Sequence, residues 1–91
     1  MLAVLYQARV IPGKETVYVD CWRAISSYLK GYRGALGSTI HKEEMHGLWV
    51  IYSRWPDWET KEKSWPAEGE KDLPQDILEM SERMIECVEE M

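Results

Sequence analysis

Hydrophobic periodicity changes along this chain in an order that few folds accept. Residues Leu2 to Ile11 (LAVLYQARVI) are rich in Val, Leu and Tyr, with Gln7 and Arg9 alternating on one side. That is the pattern of a strand covered over part of both faces. Pro12 and Gly13 stop it. From about Lys14 the period lengthens, and Val17, Tyr18, Cys21, Trp22, Ile25, Tyr28 and Leu29 recur at three- and four-residue steps. This spacing predicts a surface helix of about 18 residues, with Asp20, Arg23, Ser27 and Lys30 facing outward.

Gly31, Gly34 and Gly37 end the helix and open a second extended run, Ala35 to Glu43. Met45, His46 and Gly47 suit a hairpin turn into Leu48 to Trp55 (LWVIYSRW). By β-branched and aromatic content this is the strongest strand of the chain and the expected centre of the sheet. Pro56 stops it and suits the first turn of a short helix carrying Trp58, Glu62 and Trp65, which Pro66 closes. After a polar stretch, Ala67 to Lys71, Asp72 with Gln75 resembles a capping box with Pro74 in the first turn. Ile77, Met80, Met84, Cys87 or Val88, and Met91 form the apolar stripe of a final helix.

The order β-α-β-β-α-α over 91 residues fits one α+β domain spanning the whole chain, ferredoxin-like, with an antiparallel sheet and its helices on one face. A domain this small buries only about two-thirds of the surface its unfolded chain exposes. The helix-free face is expected to be apolar, and a second copy of the chain is its simplest cover, so a homodimer is expected. Five Trp and five Tyr with no Phe give every large ring a polar handle, which suits a lined cavity or a subunit face.

A net charge of −5 repels phosphate backbones and anionic lipid, so no nucleic-acid or membrane partner is expected. No apolar run approaches the roughly 18 residues of a membrane span, and the first run lacks a basic leader or cleavage site, which points to a cytoplasmic protein. Cys21 and Cys87 have neither disulfide-framework nor metal spacing and are expected as buried free thiols.

Three local patterns then coincide: VIPGKE (Val10 to Glu15), ALGSTI (Ala35 to Ile40), and YSRWPDWETKEKSW (Tyr52 to Trp65). Together they resemble the antibiotic biosynthesis monooxygenase superfamily over residues 2 to 66. The resemblance implies a dimeric α/β barrel of ferredoxin-like subunits, with a pocket between sheet and helices. The family's activities run from cofactor-independent oxygenation of polycyclic phenols to oxidative haem breakdown. Its haem-degrading branch uses an Asn on the first strand, a Trp at the end of the third and a His on the last helix. Trp55 matches the Trp, but the chain contains no Asn and its last helix no His, so that chemistry and its cofactor are not expected. Family members finish with a fourth strand after the last helix, which this chain lacks by sequence.

Tyr6, Trp49, Tyr52, Arg54 and Trp55 are the candidate pocket wall, since aromatic walls with a few polar tips suit a flat, partly oxygenated ligand. In an oxygenase of this kind Tyr52 and Trp55 would orient substrate, while His41 or Arg54 would deprotonate it or hold its anion. Core packing and dimer contacts explain the same residues without a ligand. The competing reading is therefore a non-catalytic dimerisation or interaction module. His41, Glu43, Glu44 and His46 could hold a cation only if further ligands converged, and a solvated turn explains them; no metal is expected. Trp58 and Trp65 are expected to staple the short helix, and Glu79, Glu82, Glu86, Glu89 and Glu90 to form a solvated face.

Overall fold

The run Leu48–Trp55 forms the middle strand of a three-stranded antiparallel sheet in this computed structural model, which describes residues 1–43, 47–65 and 73–89. The elements are β1 (Leu2–Arg9), α1 (Glu15–Tyr32), β2 (Gly37–Glu43), β3 (Leu48–Trp55), α2 (Trp58–Lys63) and α3 (Gln75–Glu86), with the strands in order β1-β3-β2. The fold is α+β, as its periodicities predict. β2 begins two residues later than expected, after Gly34 and Gly37 adopt φ of 84° and 153°, although Leu36 already donates its N–H to the Arg54 carbonyl at 2.9 Å.

Register assigns every strand side chain to a face, because successive residues of a strand point to opposite sides. Tyr6 pairs with Ile51 and Val4 with Ser53, while Ser38 pairs with Ser53 and Ile40 with Ile51. These residues share the face that α1 and α3 cover. The core cluster of Val10, Tyr18, Ile51 and Cys87 lies there, with Trp22, Trp49 and Met84 packed against it. Burying side chains of this size contributes about 1.5–3 kcal/mol each, so this face carries the stability of the fold.

The opposite face differs from the expectation of a wholly apolar layer. An apolar strip of Leu5, Leu48, Val50 and Tyr52 is flanked by Gln7, Arg9, His41, Glu43 and Arg54. The register pairs Leu5 with Tyr52, and Leu5 is 61% exposed.

Beyond α3 the chain meets the outer side of β1. Val10 and Val88 form an antiparallel bridge, with Ile11 N–H donating to the Cys87 carbonyl and Glu89 N–H to the Arg9 carbonyl, both at 2.8 Å. The position beside β1, where a fourth strand would lie, is therefore taken at one residue pair.

α3 starts at Gln75 directly after Pro74, and the Gln75 side-chain amide donates to Glu79 Oε1 at 3.4 Å; the expected capping box rests on Asp72, which lies outside the described residues. One local expectation is corrected. Trp58 is not buried as a staple would be: it is 56% exposed, with the Lys61 ammonium 5.1 Å from its ring centre. α2 is fixed instead by Asp57, whose side chain accepts the Thr60 N–H at 2.7 Å, and by the buried Ser64. Among the described residues no helix is long and apolar enough to cross a membrane.

Candidate functional site

Between the covered face of the sheet and helices α1 and α3 lies a cavity of about 470 Å³, within the range that holds a small organic ligand. Its walls are aromatic: Tyr6 from β1, Tyr18 and Trp22 from α1, Trp55 from β3, and Trp65 just after α2. Ile25, Leu29, Ala35, Ile51, Met84, Ile85 and Val88 complete the apolar lining. Among the described residues no charged side chain lines it.

The polar groups on the sheet floor are arranged in pairs. Ser38 and Ser53 stand directly opposite each other on β2 and β3. Trp22 donates its indole N–H across from α1 to Ser38 Oγ at 3.1 Å, and Trp55 donates to Ser53 Oγ at 3.2 Å. These bonds tie two large rings to the floor and satisfy the indole donors, which would otherwise be costly to bury. Among the described residues every buried side-chain nitrogen and oxygen has a hydrogen-bond partner.

Trp55 is only 3% exposed, held at the end of β3 before Pro56 turns the chain away. Tyr18 is equally buried. Burial, and to a lesser degree the neighbouring Cys87, pushes its phenol above the ordinary value. At neutral pH it therefore stays protonated.

The residues proposed from sequence do not all meet here. Tyr6 and Trp55 line the cavity. Trp49 points to the same side of the sheet but is packed in the core, its ring 6.0 Å from that of Tyr18 and covered by Lys42 at 5.7 Å. Tyr52, Arg54 and His41 lie on the opposite face, because the register places them out of phase with Ile51, Ser53 and Trp55. Arg54 lies across Gly37, where an added Cβ would sit 2.6 Å from Nη2. His41 Nε2 is 3.1 Å from Thr39 Oγ1. His41 and Arg54, the residues expected to deprotonate a substrate or hold its anion, therefore stand across the sheet from this cavity.

Sequence reasoning missed Trp22, Ser38 and Ser53. The signal for Trp22 was its place in the apolar stripe of α1. For the serines it was Ser53 two residues before Trp55, hence on the same face, with Ser38 opposite once the hairpin register is known.

Of the His and Glu cluster, Glu44 and His46 lie outside the described residues. Among the described residues no three His, Cys, Asp or Glu side chains gather where they could hold a metal. The two cysteines are free and buried: Cys21 Sγ contacts Met80 Sδ at 3.9 Å, and Cys87 Sγ donates to the Arg83 carbonyl at 3.3 Å.

With that geometry in view, the fold has a solved counterpart. A crystal structure from Bacteroides thetaiotaomicron VPI-5482, of a conserved protein of unknown function described as a possible oxidoreductase, superposes with a TM-score of 0.71. The match covers 96% of this chain and 86% of that one at 9% identity. At that identity the likeness is one of fold. No family model matches the chain, and no curated protein does.

Proposed function

We propose that this protein binds an uncharged, flat aromatic or quinone-like molecule in the cavity between its sheet and helices. It does so as a homodimeric relative of the antibiotic biosynthesis monooxygenase superfamily. The observation that carries the reading is a ligand-sized cavity walled by Tyr6, Tyr18, Trp22, Trp55 and Trp65 with, among the described residues, no charged side chain in its lining. An ion would lose its hydration there without a counter-charge, whereas a neutral ring gains the apolar contact. The possible oxidoreductase of the same fold is consistent with redox-active ligands of this class.

Cofactor-independent oxygenation is the reaction this reading entertains. Any proton transfer within the cavity falls to its phenols, Tyr6 and Tyr18, since His41 and Arg54 lie on the far face. The second reading, a binding or interaction module without chemistry, is favoured by the same absence of a base from the lining.

Equilibrium dialysis with uncharged two- and three-ring aromatics tests binding; aerobic against anaerobic incubation with a model anthrone tests oxygenation. Saturable binding that Ala35→Leu abolishes, with circular dichroism unchanged, supports the cavity. Absence of binding up to the ligands' solubility overturns it. Anthrone oxidation at the same rate with wild type and Trp55→Ala removes the catalytic part and leaves the module.

A further inference from the structure

We infer that Ser38 and Ser53 form a paired hydroxyl anchor that recognises a single carbonyl oxygen of the ring-shaped ligand, with Trp22 and Trp55 fixing the direction in which each hydroxyl donates. The inference rests on the cavity reading above and narrows it to neutral aromatic ketones and quinones.

A serine hydroxyl can accept two hydrogen bonds and donate one. Here each accepts an indole N–H, at 3.1 Å on Ser38 and 3.2 Å on Ser53, and each keeps its own proton to give. A hydroxyl otherwise rotates freely, so one fixed acceptor contact restricts where the proton can point. The two serines are opposite residues of adjacent strands, and such side chains have Cβ atoms about 4.5–5.5 Å apart. That separation allows one oxygen placed between and above them to be reached by both protons. A carbonyl oxygen has two lone pairs and suits this arrangement, whereas a hydrocarbon ring would leave both donors unmatched.

The surroundings favour a ketone over an acid or a phosphate. Both serines line the cavity, and among the described residues no Lys, Arg or His shares the lining to neutralise an anion. Ser53 is 8% exposed, so water competes weakly for its proton. The Trp55 ring is anchored to Ser53 itself and therefore stands beside the place where the ligand ring would follow its carbonyl. Ser38 and Ser53 are specificity-determining in this scheme; they supply no chemistry.

The probes are 9-fluorenone and fluorene, which share a rigid, uncharged three-ring frame and differ in the carbonyl. Neither alkylates thiols. Dissociation constants are measured by equilibrium dialysis on the full chain. Fluorenone is expected to bind wild type at least tenfold more tightly than fluorene. Ser38→Ala and Ser53→Ala should each weaken fluorenone by about three- to tenfold, and the double variant should bring it to the level of fluorene. Fluorene affinity should stay within twofold throughout, and Ser53→Thr, which keeps the hydroxyl, should retain the preference. Equal binding of the two probes by wild type, or equal weakening of both by the alanine variants, overturns the anchor and leaves the aromatic cavity standing. Absence of binding by either probe overturns the cavity reading together with the anchor.

Discussion

Arg54 and Trp55 are consecutive in the chain and lie on opposite faces of the sheet, Trp55 over the cavity and Arg54 across Gly37 on the side without helices. The strand's two-residue period separates a cation from an aromatic wall that sequence proximity had placed together.

Because of that separation, Arg54→Ala and His41→Ala should leave fluorenone affinity within twofold of wild type. Trp55→Ala should reduce it at least tenfold, and Trp55→Phe, which loses the N–H given to Ser53 and part of the ring area but keeps an aromatic wall, should fall between. Trp55→Ala should also destabilise the fold by about 3–5 kcal/mol in urea unfolding, the usual cost of truncating a buried Trp. Equal losses of affinity from Arg54→Ala and Trp55→Ala would contradict the assignment of faces.

The face carrying Leu5 and Tyr52 is where a second copy is expected. Sedimentation velocity at micromolar concentration should show a dimer for wild type and a folded monomer for Leu5→Asp, since a carboxylate buried in the interface would lack a counter-charge. A wild-type monomer with native circular dichroism would rule out this dimer.

Cys21 is 1% exposed, and burial, seconded by Cys87, pushes its thiol above the ordinary value of 9.0. The folded chain therefore holds this proton to higher pH than the unfolded chain does. The stability so gained is complete below the usual thiol range and is lost as pH rises through the folded value. Urea unfolding at neutral pH and at about pH 10 should show wild type losing more stability than Cys21→Ala. Iodoacetamide should label Cys21 and Cys87 only after denaturation.

Asp57 has the opposite sign. Its carboxylate accepts the Thr60 N–H, which holds it below the usual 3.8. Its contribution is present above that value and is lost as pH falls through the folded one. Asp57→Ala should lower Tm at neutral pH, and the difference from wild type should vanish in acid. A difference that persists at the lowest pH would assign the effect to something other than the cap.

Gly34 sits at φ 84°, and an added Cβ would lie 2.7 Å from Thr60 Cγ2. Gly34→Ala should cost at least about 1 kcal/mol from the left-handed backbone alone. Adding Thr60→Ser, which removes the methyl, should recover the steric part, so the double variant should be the more stable of the two by chemical denaturation.

Element types and their order were legible because each rests on local period and on breakers: Pro12 and Gly13, Gly34 and Gly37 at the entry to β2, and Pro56 after β3, although α1 runs through Gly31, which was expected to end it, to Tyr32. Three of the five residues of the proposed pocket wall were not. Tyr6 and Trp55 line the cavity, but Trp49 packs against the core, and Tyr52 and Arg54 were grouped with them by composition although alternation sends them to the other face. Ser38 and Ser53 looked like ordinary polar strand residues, and only their pairing with each other and with two indoles gives them a part in the site.

By itself the amino-acid order determined the α+β fold, the strength of the central strand, and the stripe of α1 that packs inward, because hydrophobic spacing along a backbone of known geometry decides each of these locally. Which aromatic rings share a wall, that among the described residues no charge lines the cavity, and that Trp22 bonds to Ser38 sixteen residues away were decided by tertiary structure alone. Those relations depend on the register between strands and on where a helix crosses them, and neither is encoded in the spacing of any single segment.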